Sequence, residues 1–154
     1  DIVSFGGTKN GCWCAEALVF LNPDMARQAP FIRKRAAHLF SKSRFIAAQF
    51  DAYFEKGLWL ETARHANAMS PRLQAGIENS DHARLAWQSP ANETFPIVSK
   101  TLAAELTEKG AMFYEWSAPR SAAHLVGPGE TMLRLVTSFA TTQDHVDQFV
   151  ELLG

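Results

Sequence analysis

A short β-prone run, Asp1–Phe5, is halted by Gly6-Gly7 and followed by the polar turn Thr8-Lys9-Asn10-Gly11. A second apolar run, Ala15–Leu21, carries Leu18, Val19 and Phe20 at its centre. Apolar runs this short, parted by glycines, are strands rather than helices, because a buried helix needs ten or more residues. Both read as buried interior pieces of a mainly parallel sheet, which is normally covered on both faces. The turn between them presents one lysine with little backbone bulk around it.

Asn22-Pro23-Asp24 then starts a helix, with Asn at the N-cap, Pro at the first helical position and an acid in the first turn. Pro30 interrupts or kinks it. Helical composition resumes from about Ile32 and continues to Lys56, where Gly57 supplies a C-cap. Phe45, Ala48, Ala52, Phe50 and Tyr53 keep one side of this stretch apolar, and Arg33, Lys34, Arg35, Lys42 and Arg44 make its front basic. The spacing therefore predicts one long spine helix.

From Leu58 onward the pattern changes to compact alternation of helices and strands. Ala66, Met69, Leu73 and Ile77 recur three or four apart on a helix that contains Pro71. Ala83–Trp87 and Thr94–Val98 read as short strands, and Ser99 caps a helix that Gly110 ends. Ala111–Trp116 and Met132–Phe139 read as strands joined by a Pro/Gly loop. Thr141 and Asp144 open a last helix with Val146, Phe149, Val150 and Leu153 on one stripe. The chain is thus of α/β class, with a first part over residues 1–56 and a small α+β domain over 57–154.

Composition narrows the partners. A formal net charge of -1 lacks the basic excess that nucleic-acid binding needs. No run approaches the roughly 20 apolar residues of a membrane span. Cys12 and Cys14 are too close for an unstrained disulfide, so both read as thiols of a cytoplasmic protein. The five histidines form no metal-binding spacing, and Cys-x-Cys alone does not make a zinc site. The chain carries no signal peptide and no initiator Met, and the opening directly into a strand pattern reads as a piece of a longer polypeptide. Eleven phenylalanines and four tryptophans give apolar surface for a second domain or subunit.

Two residues stand out chemically. Lys9 sits in the glycine-flanked turn; a lysine whose pKa is lowered is a nucleophile toward carbonyls. The phosphate-loop alternative fails on spacing, and an exposed loop lysine is the competing reading. Arg134 shares a strand face with Met132, Val136 and Ser138, so its guanidinium needs a carboxylate partner, either a substrate or an internal salt bridge.

Asp1-Ile2-Val3-Ser4-Phe5-Gly6-Gly7-Thr8-Lys9-Asn10-Gly11 closely resembles the active-site segment of bacterial low-specificity L-threonine aldolases, pyridoxal-phosphate enzymes of fold type I. The resemblance continues through Glu16–Phe20, Ser41–Phe45, His65-Ala66-Asn67 and Arg134–Phe139, and departs from the family at Cys12-Trp13-Cys14 and Pro71. It implies the C-terminal half of such an enzyme: the end of the large cofactor domain, then the small domain. It further implies that Lys9 carries pyridoxal 5'-phosphate, that Arg134 grips the substrate α-carboxylate and that Lys42 meets the cofactor phosphate. The implied reaction cleaves L-threonine, L-allo-threonine and related β-hydroxy amino acids to glycine and an aldehyde. The implied partners are the missing N-terminal half and further copies in a homodimer or homotetramer. The alternatives are a non-catalytic half that serves packing or oligomerisation, and a related β-eliminating lyase or aminotransferase.

Overall fold

The computed structural model describes residues 1–154, which divide into two compact units, 1–63 and 64–154. In the first unit, β1 (Ile2–Gly6) pairs antiparallel with β2 (Glu16–Phe20), Ile2 opposite Phe20 and Gly6 opposite Glu16. Within this chain the two strands form an antiparallel pair, and no parallel neighbour is present. The link from Gly7 to Ala15 is shorter than the dozen or more residues a parallel crossover requires, so the chain can only double back. Both strands also expose apolar side chains, among them Leu18 at 64% and Val19 at 42%.

The helix start at Asn22 forms as expected: α1 (Pro23–Ala26) opens with the Asn22 side-chain oxygen accepting from the Asp24 N–H at 3.0 Å. Pro30 does not kink this helix but lies in the first turn of a new one, α2 (Ala29–Arg35). The long spine helix is not continuous. The His38 N–H bonds to the Arg33 carbonyl at 3.0 Å and the Ala37 N–H to the Lys34 carbonyl at 3.1 Å, which closes α2. Ala37 adopts φ 58, the left-handed conformation this closure requires. α3 (Ser43–Phe54) starts afresh and ends before Lys56 and Gly57, both at positive φ. Its inward side is Ile46, Phe50 and Tyr53, while Phe45 is exposed. Phe5, Phe50, Tyr53, Phe54 and Trp59 pack ring to ring; Phe50 and Phe54 stack with centroids 5.8 Å apart, and Phe5 lies 5.7 Å from Phe54.

α4 (Leu58–Glu78) runs without interruption through Pro71, although that residue has no N–H to offer the Asn67 carbonyl. In the second unit Met69, Leu73 and Ile77 of α4 are buried with Val98, Ala103, Leu106, Leu133, Leu135, Val146 and Leu153. These come from β5 (Pro96–Ser99), α5 (Lys100–Glu108), β7 (Glu130–Val136) and α6 (Gln143–Leu153), so the helices cover one face of an antiparallel sheet. β3 (Ala83–Leu85) pairs with β5, β5 with β7, and β6 (Tyr114–Trp116) with β7 on its other side. β4 (Glu93–Thr94) and β5 keep one register against β7, Thr94 opposite Leu135 and Ile97 opposite Met132. They are one strand broken at Phe95-Pro96, where proline lacks a ladder donor. Ser99 caps α5 through the Leu102 N–H at 3.0 Å, as expected. The cap of α6 is shifted by one residue from Thr141 and Asp144: Thr142 and His145 form the reciprocal box, and the Thr141 hydroxyl accepts from the Ser138 N–H instead. No helix is long and apolar enough to cross a membrane.

Candidate functional site

Lys9 occupies a single 3-10 turn, Thr8–Asn10, between β1 and β2. Backbone bonds close the turn: the Gly7 N–H reaches the Ala15 carbonyl at 2.8 Å, and the Asn10 and Cys12 N–H groups share the Gly7 carbonyl, each at 3.0 Å. Gly7 is buried, and a Cβ there would stand 2.8 Å from the Cys12 sulfur and 3.1 Å from the Ala15 carbonyl oxygen. The close approach of the two backbones therefore requires glycine. Gly11 leaves the turn at φ 117, also a glycine conformation. Asn10 anchors the turn: its amide donates to the Tyr53 hydroxyl and to the Trp59 carbonyl, the latter at 3.0 Å. The Lys9 side chain itself is exposed and enters no salt bridge.

The residues after the turn are also held. Gln49 of α3 accepts from the Cys14 N–H at 2.8 Å and donates back to the Cys14 carbonyl at 3.3 Å. Cys12 and Cys14 are free thiols. Burial first, and the neighbouring Glu16 carboxylate second, push the Cys12 thiol up.

Lys42 is exposed at the N-cap of α3, where no side chain caps the helix. It borders a cavity of about 490 Å³ with Trp13, Phe40, Phe45, Ile46 and Gln49, of which Lys9 is not a part. The basic residues expected to share one helix front do not. Arg33, Lys34 and Arg35 end α2, where cations suit the negative end of the helix dipole, while Lys42 and Arg44 begin α3.

Arg134 lies in the second unit, on β7, half-buried. Its Nε donates to Glu93 Oε1 at 3.2 Å and its Nη2 donates to the same oxygen. The guanidinium carbon stands 5.0 Å from the centre of the Trp116 ring. Glu93 faces Val136 across the β4–β7 pair, which puts it diagonal to Arg134 on one sheet face; Trp116 faces Met132 and holds the same relation from β6. Asn10, Glu93 and Trp116 were not singled out by the sequence. The only signal for Asn10 was its place after a lysine in a glycine turn, and Glu93 is 41 residues from its partner.

No protein-family model matches the chain. It is 35% identical over 114 residues to the low-specificity L-threonine aldolase of a Pseudomonas species, and 34% identical over 114 residues to that of Pseudomonas aeruginosa. Those matches cover 74% of this chain and 33% of each relative. A solved threonine aldolase of Leishmania major superposes with a TM-score of 0.77 at 33% identity, over 90% of this chain and 38% of that one.

The chain is related to the threonine aldolases.

It spans about a third of the length of the curated threonine aldolases it matches. A cystine C–S lyase shares the fold at a TM-score of 0.53 and 15% identity, over 70% of this chain and 27% of that one. A serine palmitoyltransferase of Sphingomonas wittichii does so at 0.51 and 18%, over 70% and 26%. These likenesses carry the fold-type I class expected from the resemblance, with mixed helix and sheet.

Proposed function

We propose that this threonine-aldolase-like chain is part of a pyridoxal-phosphate enzyme that cleaves L-threonine, L-allo-threonine and related β-hydroxy amino acids to glycine and an aldehyde. The observation that carries the proposal is the Lys9 turn, supported by its likeness to threonine aldolases. An amine that is exposed, unpaired and held on a turn fixed by Gly7 and Asn10 is suited to bond a carbonyl group, so these residues fit pyridoxal phosphate. When bound, that cofactor supplies an electron sink for the pair left on Cα when the Cα–Cβ bond breaks.

The chain's own residues bind and orient. Lys9 Nζ holds the cofactor. Lys42, beside first-turn N–H groups of α3 that no side chain caps, supplies a cation where an anionic phosphate is favoured. Arg134 holds the substrate carboxylate, which fixes rotation of the amino acid about Cα and so selects the bond that breaks. The rest of the polypeptide completes the cofactor site. The two free thiols support a reducing compartment, the cytoplasm. Apolar residues such as Leu18, Phe31 and Phe40, exposed in the first unit, support further burial in a homodimer or homotetramer.

The test is Lys9→Ala in the complete polypeptide. Cleavage of threonine is expected to stop, and borohydride is expected no longer to fix the cofactor to the protein. Covalent cofactor recovered on a different lysine would overturn the assignment.

A further inference from the structure

The Arg134 guanidinium is engaged on one edge only. Its Nε and Nη2 both point to Glu93 Oε1, and Nη1 donates to no group of the protein. The guanidinium carbon lies over the Trp116 ring, 5.0 Å from its centre. The side chain is still 28% exposed, and no protein group hydrogen-bonds to Nη1. A guanidinium offers two edges that can each meet a carboxylate, the side edge of Nε–Nη and the end edge of Nη–Nη. Here Glu93 takes the side edge, and the end edge remains.

We infer that Glu93 and Trp116 are positioning residues that lock the Arg134 plane, so that a substrate carboxylate is received end-on at Nη1–Nη2 while Glu93 stays bound. The inference rests on the proposed role of Arg134 and adds to it a mode of recognition. An unheld arginine must freeze several rotatable bonds when it captures an anion; one already fixed on two sides does not. Two anions on one guanidinium also repel, so the arrangement trades some attraction for geometry. Glu93 would act as a competitor if geometry contributed less than repulsion, and the two cases predict opposite signs.

The experiment uses the complete cofactor-loaded polypeptide and titrates glycine, then methylamine, while following the cofactor absorbance. Glu93→Gln, Glu93→Ala and Trp116→Leu are each compared with the unaltered protein. Glycine binding is expected to weaken roughly tenfold in Glu93→Ala and less in Glu93→Gln, which keeps an acceptor oxygen. Methylamine, which lacks a carboxylate, is expected to bind all variants equally. With 15N-arginine labelling, the Arg134 Nε–H resonance is expected to shift and to exchange faster with water in Glu93→Ala, a readout independent of turnover. Glycine binding that is unchanged or tighter in the Glu93 variants would overturn the inference, as would equal losses for glycine and methylamine. Arg134→Lys in the same titration separates the two levels. If it leaves glycine binding unchanged, the carboxylate role of Arg134 falls and the inference with it. If it weakens binding while the Glu93 variants do not, only the inference falls. Thermal melts of Glu93→Gln, the near-isosteric variant, confirm that the comparison is made on folded protein.

Discussion

The Asn10 side chain donates to the Tyr53 hydroxyl across 43 residues of sequence, joining the Lys9 turn to the buried side of α3. Tyr53 is 4% exposed and the Trp59 carbonyl takes the second amide hydrogen, so both donors of one small side chain are used. The turn that carries Lys9 is thus tied down through the next residue.

Asn10→Ala removes both bonds and leaves the Tyr53 hydroxyl without its donor. Each bond contributes about 1 kcal/mol, so cofactor affinity in the complete polypeptide is expected to fall roughly 5- to 30-fold. Asn10→Asp can still accept from the Tyr53 hydroxyl and loses only the bond to the Trp59 carbonyl, so its affinity is expected to fall less than that of Asn10→Ala. Absorbance titration with pyridoxal phosphate measures it, and an unchanged affinity would show that the turn is held by its backbone alone.

Ala37 sits at φ 58 at the end of α2, a position that glycine occupies in most helices closed this way. An L residue there costs about 1–2 kcal/mol, while glycine costs about 0.5–1 kcal/mol through unfolded-state entropy. Ala37→Gly is therefore expected to stabilise the first unit by up to about 1 kcal/mol, seen as a higher urea midpoint with an unchanged slope.

The same alanine explains where the sequence could not be read. A helix stop marked by glycine is visible, as at Gly110; one built on Ala37 is not, so helical composition alone predicts a helix that continues past it. Strand existence was legible from apolar runs, but the direction of β2 depended on the length of its link to β1. Proline commonly breaks a helix, but at Pro71 the apolar spacing that predicts a continuous helix prevails: packing of Met69, Leu73 and Ile77 outweighs one missing hydrogen bond. At the candidate site the lysine turn was legible because glycine spacing is local. The partners of Arg134 were not, because register alone brings Glu93 and Trp116 beside it.

Gly76 of α4 packs directly against Val150 of α6: a Cβ at Gly76 would lie 2.2 Å from Val150 Cγ2 and 2.9 Å from its Cγ1. Gly76→Ala gains up to about 1 kcal/mol of helix propensity but overpacks the contact by about 1–3 kcal/mol. Net destabilisation is expected, and Val150→Ala in the same chain is expected to cost less than it does alone. Additive losses in urea unfolding would contradict the contact.

Glu130 gives the fold its clearest acid sensitivity. Its two oxygens receive Arg84 Nη1 at 2.6 Å and Nη2 at 2.7 Å, and the Gly127 N–H donates at 2.7 Å. The Arg84 hydrogen bonds first, and the Gly127 N–H second, lower its pKa from 4.5 to about 2. Between those values the unfolded chain binds a proton that the folded chain refuses, so stability rises with pH through that window. The contribution is complete above about pH 4.5 and is lost as pH falls through about 2. Asp147, lowered by its hydrogen bonds from Arg72, adds in the same direction. Glu130→Gln keeps the shape and an acceptor but cannot titrate. Its unfolding free energy, measured in urea from pH 2 to 5, is expected to vary less steeply than that of the unaltered chain. Equal slopes would mean that the Arg84–Glu130 pair does not distinguish the folded from the unfolded state.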